Sequence, residues 1–148
     1  MRSALRFAVL FLIVMWAGAP RLRAQRTVVT AQGMNVTATL SPAIRVGDVL
    51  YLSGQLPTMR GEGADTTIQG QTKSVLDKIK TLVEAAGGTT ANIAKCTVFL
   101  IDQKDFQGMN SVYSTFFPKE PPARSTVVVA ALVSNGPRLE IECIASLK

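Results

Sequence analysis

The chain reads as an α+β protein, with two helices stacked on one face of a mixed sheet of five or six strands. Three observations lead there. Ile68, Val75, Ile79, Leu82, Val83 and Ala86 recur at helical spacing. Phe106, Met109, Tyr113 and Phe116 do so again. The other apolar runs are short, rich in β-branched residues, and bounded by glycine, proline or asparagine.

The first segment is set apart from the fold. Met1 to Arg6 is basic, Phe7 to Trp16 is apolar throughout, and Ala17-Gly18-Ala19-Pro20 breaks the run before Arg21-Leu22-Arg23-Ala24. This is the layout of a secretory signal peptide. The apolar run falls short of the about 20 residues that span a bilayer. A signal peptide over residues 1–24 is therefore expected, cleaved after Ala24, with an uncleaved anchor as the competing reading. It implies export to a periplasm or the exterior, and no stable membrane association after cleavage. A single domain over residues 25–148 follows.

Gln25 to Asn35 is polar with scattered valine and threonine, either a loose start or a first strand. Ala43–Val46 and Val49–Ser53 form a hairpin about a Gly47-Asp48 turn. The first helix follows a glycine-bearing loop, is capped by Thr66 or Thr67, and stops at Gly87-Gly88. Cys96 to Ile101 is apolar on both alternating faces, as suits a central strand. The second helix begins at Asp102 or Asp105 and ends before Pro118. Thr126–Ala130 and Leu139–Ala145 are the last two strands, split by a Ser134-Asn135-Gly136-Pro137 turn. Val98, Leu100, Val127 and Val129 exceed what two helices cover, so the far sheet face calls for a second copy of the chain.

Composition removes several function classes. Without the four arginines of the leader, 12 of the chain's 16 basic residues remain against 10 acids, so the net charge falls from +6 to +2. No basic cluster tracks a phosphate backbone, and no nucleic-acid partner is expected. The chain has no histidine, which removes Ser-His and Cys-His pairs and histidine-based zinc motifs. Its two cysteines alone do not build a typical zinc site, and no metal is expected. Cys96 and Cys143 lie in apolar strands, where buried free thiols are expected. A disulfide requires Cα atoms within about 7 Å.

The segment Pro121-Pro122-Ala123-Arg124-Ser125-Thr126-Val127 carries the chemistry. A rigid double proline leads into a strand bearing an arginine, the side chain suited to gripping a planar carboxylate with two parallel hydrogen bonds. An inward arginine on a covered sheet must meet an acid. In Leu139-Glu140-Ile141-Glu142-Cys143 the two glutamates share one strand face, and a glutamate can manage a water or a proton. Gly54, in Ser53-Gly54-Gln55, lets backbone approach a ligand. Asn110 lies mid-helix, where asparagine is a poor helix former. Taken singly, each has a bland reading as surface charge, strand end or exposed amide.

In order along the chain, Ser53-Gly54-Gln55, Val83-Glu84-Ala85-Ala86-Gly87, Thr97-Val98-Phe99-Leu100, Asp105-Phe106 with Met109-Asn110 and Tyr113, Pro122-Ala123-Arg124-Ser125-Thr126-Val127 and Glu140-Ile141-Glu142 together resemble the Rid family, the reactive intermediate deaminases or YjgF-like proteins. The resemblance runs from about Ser41 to Leu147. It implies a chorismate-mutase-like fold, assembled as a homotrimer with ligand clefts between subunits. It also implies hydrolysis of small 2-imino or enamine acids to 2-keto acids and ammonia, as by a 2-iminobutanoate/2-iminopropanoate deaminase, without cofactors. Arg124 matches the family's carboxylate-binding arginine, and Glu140 the acid beside the hydrolytic water. Gly54 and Thr126 match positions whose backbone faces the ligand, and Asn110 a cleft-lining asparagine. Many arginine-bearing members carry a Gly-Pro-Tyr segment whose tyrosine lines the cleft. Here the region reads Leu40-Ser41-Pro42-Ala43, and that tyrosine has no counterpart. The alternative is a non-catalytic binder of keto acids or other small carboxylates. Some members are described as ribonucleases, a reading that the charge and the lack of histidine oppose here.

Overall fold

The computed structural model describes residues 25–148; the leader expected over residues 1–24 lies outside them. Six strands and two helices follow in chain order: β1 (Arg26–Val29), β2 (Ala43–Val46), β3 (Val49–Gln55), α1 (Ile68–Ala85), β4 (Ile93–Leu100), α2 (Phe106–Phe116), β5 (Ala123–Val128) and β6 (Leu139–Ser146). The sheet order is β1-β2-β3-β6-β4-β5. Every neighbouring pair is antiparallel except β4–β5, which is parallel. A parallel pair needs a crossover long enough to return the chain, and α2 supplies it. The mixed sheet with helices on one face is therefore as expected, and the polar start is a true strand, pairing Val28 with Ile44.

Helix α1 forms where its caps and apolar stripe agree. The Thr67 hydroxyl accepts from the Gly70 N–H at 3.0 Å, and Asp65 accepts from the Thr67 N–H at 2.6 Å. At the other end, Gly87 takes φ +86°, the left-handed value that closes a helix. The Gly88 N–H then reaches Val83 O and the Gly87 N–H reaches Glu84 O, both at 2.9 Å. Val75, Leu76, Ile79, Leu82 and Val83 are fully buried against the sheet, each worth roughly 1.5–3 kcal/mol of transfer free energy.

Strand β6 is the spine of the core. Leu139, Ile141, Cys143 and Ala145 point under the helices, while Glu140, Glu142 and Ile144 face the other way. Val98 and Leu100 belong to the helix side, fully buried, which corrects the expectation that they need cover from outside. Val127 is the residue left exposed, at 44%. β5 also starts earlier than expected, at Ala123, so Arg124 lies inside the strand.

Cys96 and Cys143 are paired as a disulfide with Cα atoms 4.1 Å apart, which corrects the expectation of free thiols. The two cysteines are direct register partners across β4 and β6. Strand composition shows that each is buried, but only register decides whether they meet.

Candidate functional site

Arg124 is held on the helix side of β5, one of the two edge strands of the sheet. Its guanidinium carbon lies 4.5 Å from the centre of the Tyr113 ring and 6.0 Å from that of Phe106. Nη1 is 3.8 Å from Met109 Sδ. The three partners are one stripe of α2, so the helix that closes the β4–β5 crossover also floors the arginine. The acid expected beside it is absent: among the described residues no carboxylate forms an ion pair with Arg124. Two rings and a thioether satisfy the side chain while leaving nearly all its N–H donors unused.

Arg124 opens on a cavity of about 620 Å³, walled by Gln107, Asn110, Tyr113, Phe117 and Pro122. Asn110, one residue beyond Met109, lines this cavity with Arg124. Thr126 shares Arg124's strand face two residues on, and its hydroxyl is buried without a partner. It lines an adjoining hollow of about 400 Å³ with Phe106 and Gln107. Arg124, Asn110 and Thr126 therefore form one group.

Glu140 and Gly54 form a second group on the opposite face. Ser53 and Gly54 together oppose Glu142 in a bulge, since Leu52 pairs with Cys143 and Gln55 with Ile141. A Cβ placed on Gly54 would fall 1.8 Å from Glu140 Oε1. The glycine thus makes room for the carboxylate lying across it, which a side chain at 54 would displace. One copy of the chain brings Glu140 to Gly54 but not to Arg124.

Burial pushes the Glu140 carboxyl above its ordinary value, and the charge of Glu142 adds to the rise. Its charged form is therefore disfavoured by folding. The folded chain binds this proton more tightly than the unfolded chain, so the contribution to stability is complete below the ordinary value of 4.5 and is lost as pH rises through the raised one. Glu140→Gln is expected to melt higher than the wild type at neutral pH, with the difference vanishing below about pH 4. Thermal melts across pH check this, and a variant that gains nothing at neutral pH contradicts it.

One further contact went unread in the sequence. Asp105, an expected helix cap, is buried and instead takes the Arg138 guanidinium, with Nε–Oδ2 at 2.9 Å. Asp102 caps the 3-10 turn Gln103–Asp105 that leads into α2, accepting from the Lys104 N–H at 2.9 Å. Gln71 of α1 accepts from the Arg138 N–H at 2.7 Å. Both helices thereby fix the residue that precedes β6 and Glu140. An acid ahead of a helix looks like a cap, and only the distant arginine tells otherwise.

The family model described as Endoribonuclease L-PSP matches residues 30–147. A crystal structure of YyfA from Yersinia pestis, described as a protein of unknown function of the conserved Rid family, matches with a TM-score of 0.75 at 33% identity. The match covers 82% of this chain and 99% of that one.

This chain belongs to the Rid family.

Other Rid relatives include Reactive Intermediate Deaminase A, chloroplastic, of Arabidopsis thaliana, 38% identical over 72% of this chain and 58% of the relative. Protein mmf1, mitochondrial, of Schizosaccharomyces pombe is 34% identical over 81% of this chain and 75% of the relative. These relatives overturn the periplasmic or secreted placement expected from the leader, because the compartments in their names are organelles. No helix among the described residues is long and apolar enough to cross a membrane. An arginine-bearing, acid-free start is common to secretory and organelle leaders, so it does not by itself specify export.

Proposed function

We propose that the protein hydrolyses small reactive 2-imino or enamine acids to 2-oxo acids and ammonia, in a cleft between copies of a homotrimer. The observation that carries this reading is Arg124: a guanidinium with no acid partner among the described residues, held on aromatic rings at the wall of a cavity of about 620 Å³. Such a group is prepared for a ligand carboxylate.

The two groups of residues support the assembly. Arg124, Asn110 and Thr126 occupy the helix side, and Glu140 with Gly54 the open side, so a cleft using both takes one group from each of two copies. The open side also presents an apolar row across four strands, Val28, Ile44, Tyr51 and Ile144, in register. Three of these are exposed in the single chain, which is the kind of surface that a like copy covers.

The chemistry then asks little of the protein. Arg124 orients the substrate through its carboxylate. Glu140 takes a proton from water as oxygen bonds to the carbon of the protonated C=N group, whose π pair moves onto nitrogen. Glu140 then returns the proton to the amine of the tetrahedral carbinolamine, and the C–N bond breaks as the hydroxyl gives up its proton, releasing ammonia and leaving the 2-oxo acid. A carboxyl whose pKa is raised is a better base for that step than an ordinary surface glutamate. The ribonuclease named in the family description finds no support in a chain that lacks histidine and carries a net +2 beyond the leader.

The test generates 2-aminoacrylate and 2-aminocrotonate in the presence of the purified protein and follows 2-oxo acid and ammonia, with light scattering for the assembly. Release above the protein-free control supports hydrolysis. Binding of 2-oxobutanoate without release assigns the chain instead to non-catalytic carboxylate capture, which the missing tyrosine at Leu40-Ser41-Pro42-Ala43 favours. Gly54→Ala provides a finer check. Its methyl group meets the flexible end of Glu140, so stability is expected to change by less than about 1 kcal/mol. Turnover is expected to fall roughly a hundredfold, as for a reacting group misplaced by about 1 Å.

A further inference from the structure

Arg124 is the cation of this site, yet what holds it is a ring rather than an acid. Tyr113 is buried, its ring centre 4.5 Å from the guanidinium carbon. Phe106 stands behind at 6.0 Å and Met109 Sδ at 3.8 Å. The ring is itself braced, since Phe117 packs on it at 4.8 Å between centres and Phe116 packs edge-on against Phe117. The Tyr113 hydroxyl is buried without a hydrogen-bond partner, so the residue earns its place by its ring face and not by its polar tip.

We infer that Tyr113 is a positioning residue for the proposed reaction: its ring face fixes the Arg124 guanidinium in the ligand-binding orientation while leaving the N–H donors free for the ligand's carboxylate. This rests on the reading of Arg124 as the carboxylate-binding group. An aspartate or glutamate in the same place would also fix the arginine, but it would occupy the donors and cancel the charge. A ring attracts the cation through its quadrupole and takes no N–H in the bidentate plane. Burial raises the Tyr113 phenol to about 12, against the opposing pull of Arg124. The phenol therefore stays neutral beneath the cation and does not become an internal counter-ion.

The test measures 2-oxobutanoate binding by calorimetry, and thermal melts, on the full protein. Tyr113→Phe keeps the ring and is expected to bind within about twofold of wild type, with no loss of thermal stability. Tyr113→Leu removes the ring face and is expected to bind about tenfold more weakly, within the range of a desolvated cation–ring contact. Stepwise fluorination of a phenylalanine at 113 preserves shape while draining the negative ring face, so affinity is expected to fall with each fluorine. That gradient separates positioning from simple packing, which fluorination leaves nearly unchanged. A flat fluorination series overturns the inference, as does a Tyr113→Phe variant that loses affinity as far as Tyr113→Leu. If the wild type itself does not bind 2-oxobutanoate, the reading of Arg124 fails first and the inference falls with it.

Discussion

Arg124→Ala is expected to weaken 2-oxobutanoate binding by roughly a hundred- to a thousandfold, because a bidentate grip supplies two hydrogen bonds to a charged group. Release of 2-oxo acid from in situ 2-aminoacrylate is expected to drop to the protein-free rate, since nothing else in the cavity carries a positive charge. The fold should hardly notice. Arg124 makes no ion pair among the described residues, and its contact with Tyr113 is worth about 1 kcal/mol. Arg124→Lys keeps a charge but loses the planar fork, so binding is expected to recover only in part. Calorimetry paired with thermal melts separates the two effects. A variant that binds as the wild type does, or that loses binding only because it unfolds, removes Arg124 from the proposed role.

The second large effect concerns stability, and it is asymmetric. Asp105 has its side chain only 4% exposed, while the Arg138 side chain is 41% exposed. Arg138→Ala strands a carboxylate in the core and is expected to cost about 3 kcal/mol, toward the lower end for a broken buried pair. Asp105→Asn strands a guanidinium that water can reach, and is expected to cost about 1 kcal/mol. Denaturant titrations of both variants check the order. Equal losses would mean that the pair is solvated as a whole. Activity should follow Arg138→Ala downward even where the protein remains folded, because the Asp105–Arg138 side-chain contact helps set the start of β6 two residues before Glu140. Only the backbone bond from the Arg138 N–H to Gln71 is then left.

Much of the fold was legible because its signals are local. The α1 stripe, the Thr67 cap and the Gly87-Gly88 stop agree within one segment, and the structure contains the helix they describe. The Gly47-Asp48 hairpin is equally local. Legibility failed where two distant segments decide together. Asp105 resembled a cap until Arg138 arrived from 33 residues away. Cys96 and Cys143 resembled free thiols until β6 settled beside β4. Tyr113 looked like core because burial and helical spacing describe its place on α2 and say nothing of what lies above its ring.

The sequence by itself determined the α+β class, the boundaries of its helices to within a few residues, the family, and the identity of the arginine with an unusual position after two prolines. These follow from periodicity, capping and turn chemistry, which act over a few residues at a time. Only the tertiary structure decided which face each group occupies. The parallel crossover through α2 turns Arg124 toward Tyr113, while the insertion of β6 between β3 and β4 turns Glu140 away over Gly54. Strand alternation gives a side chain one of two faces, but which face meets the helices depends on strand order and register. Those are set by the packing of the whole core.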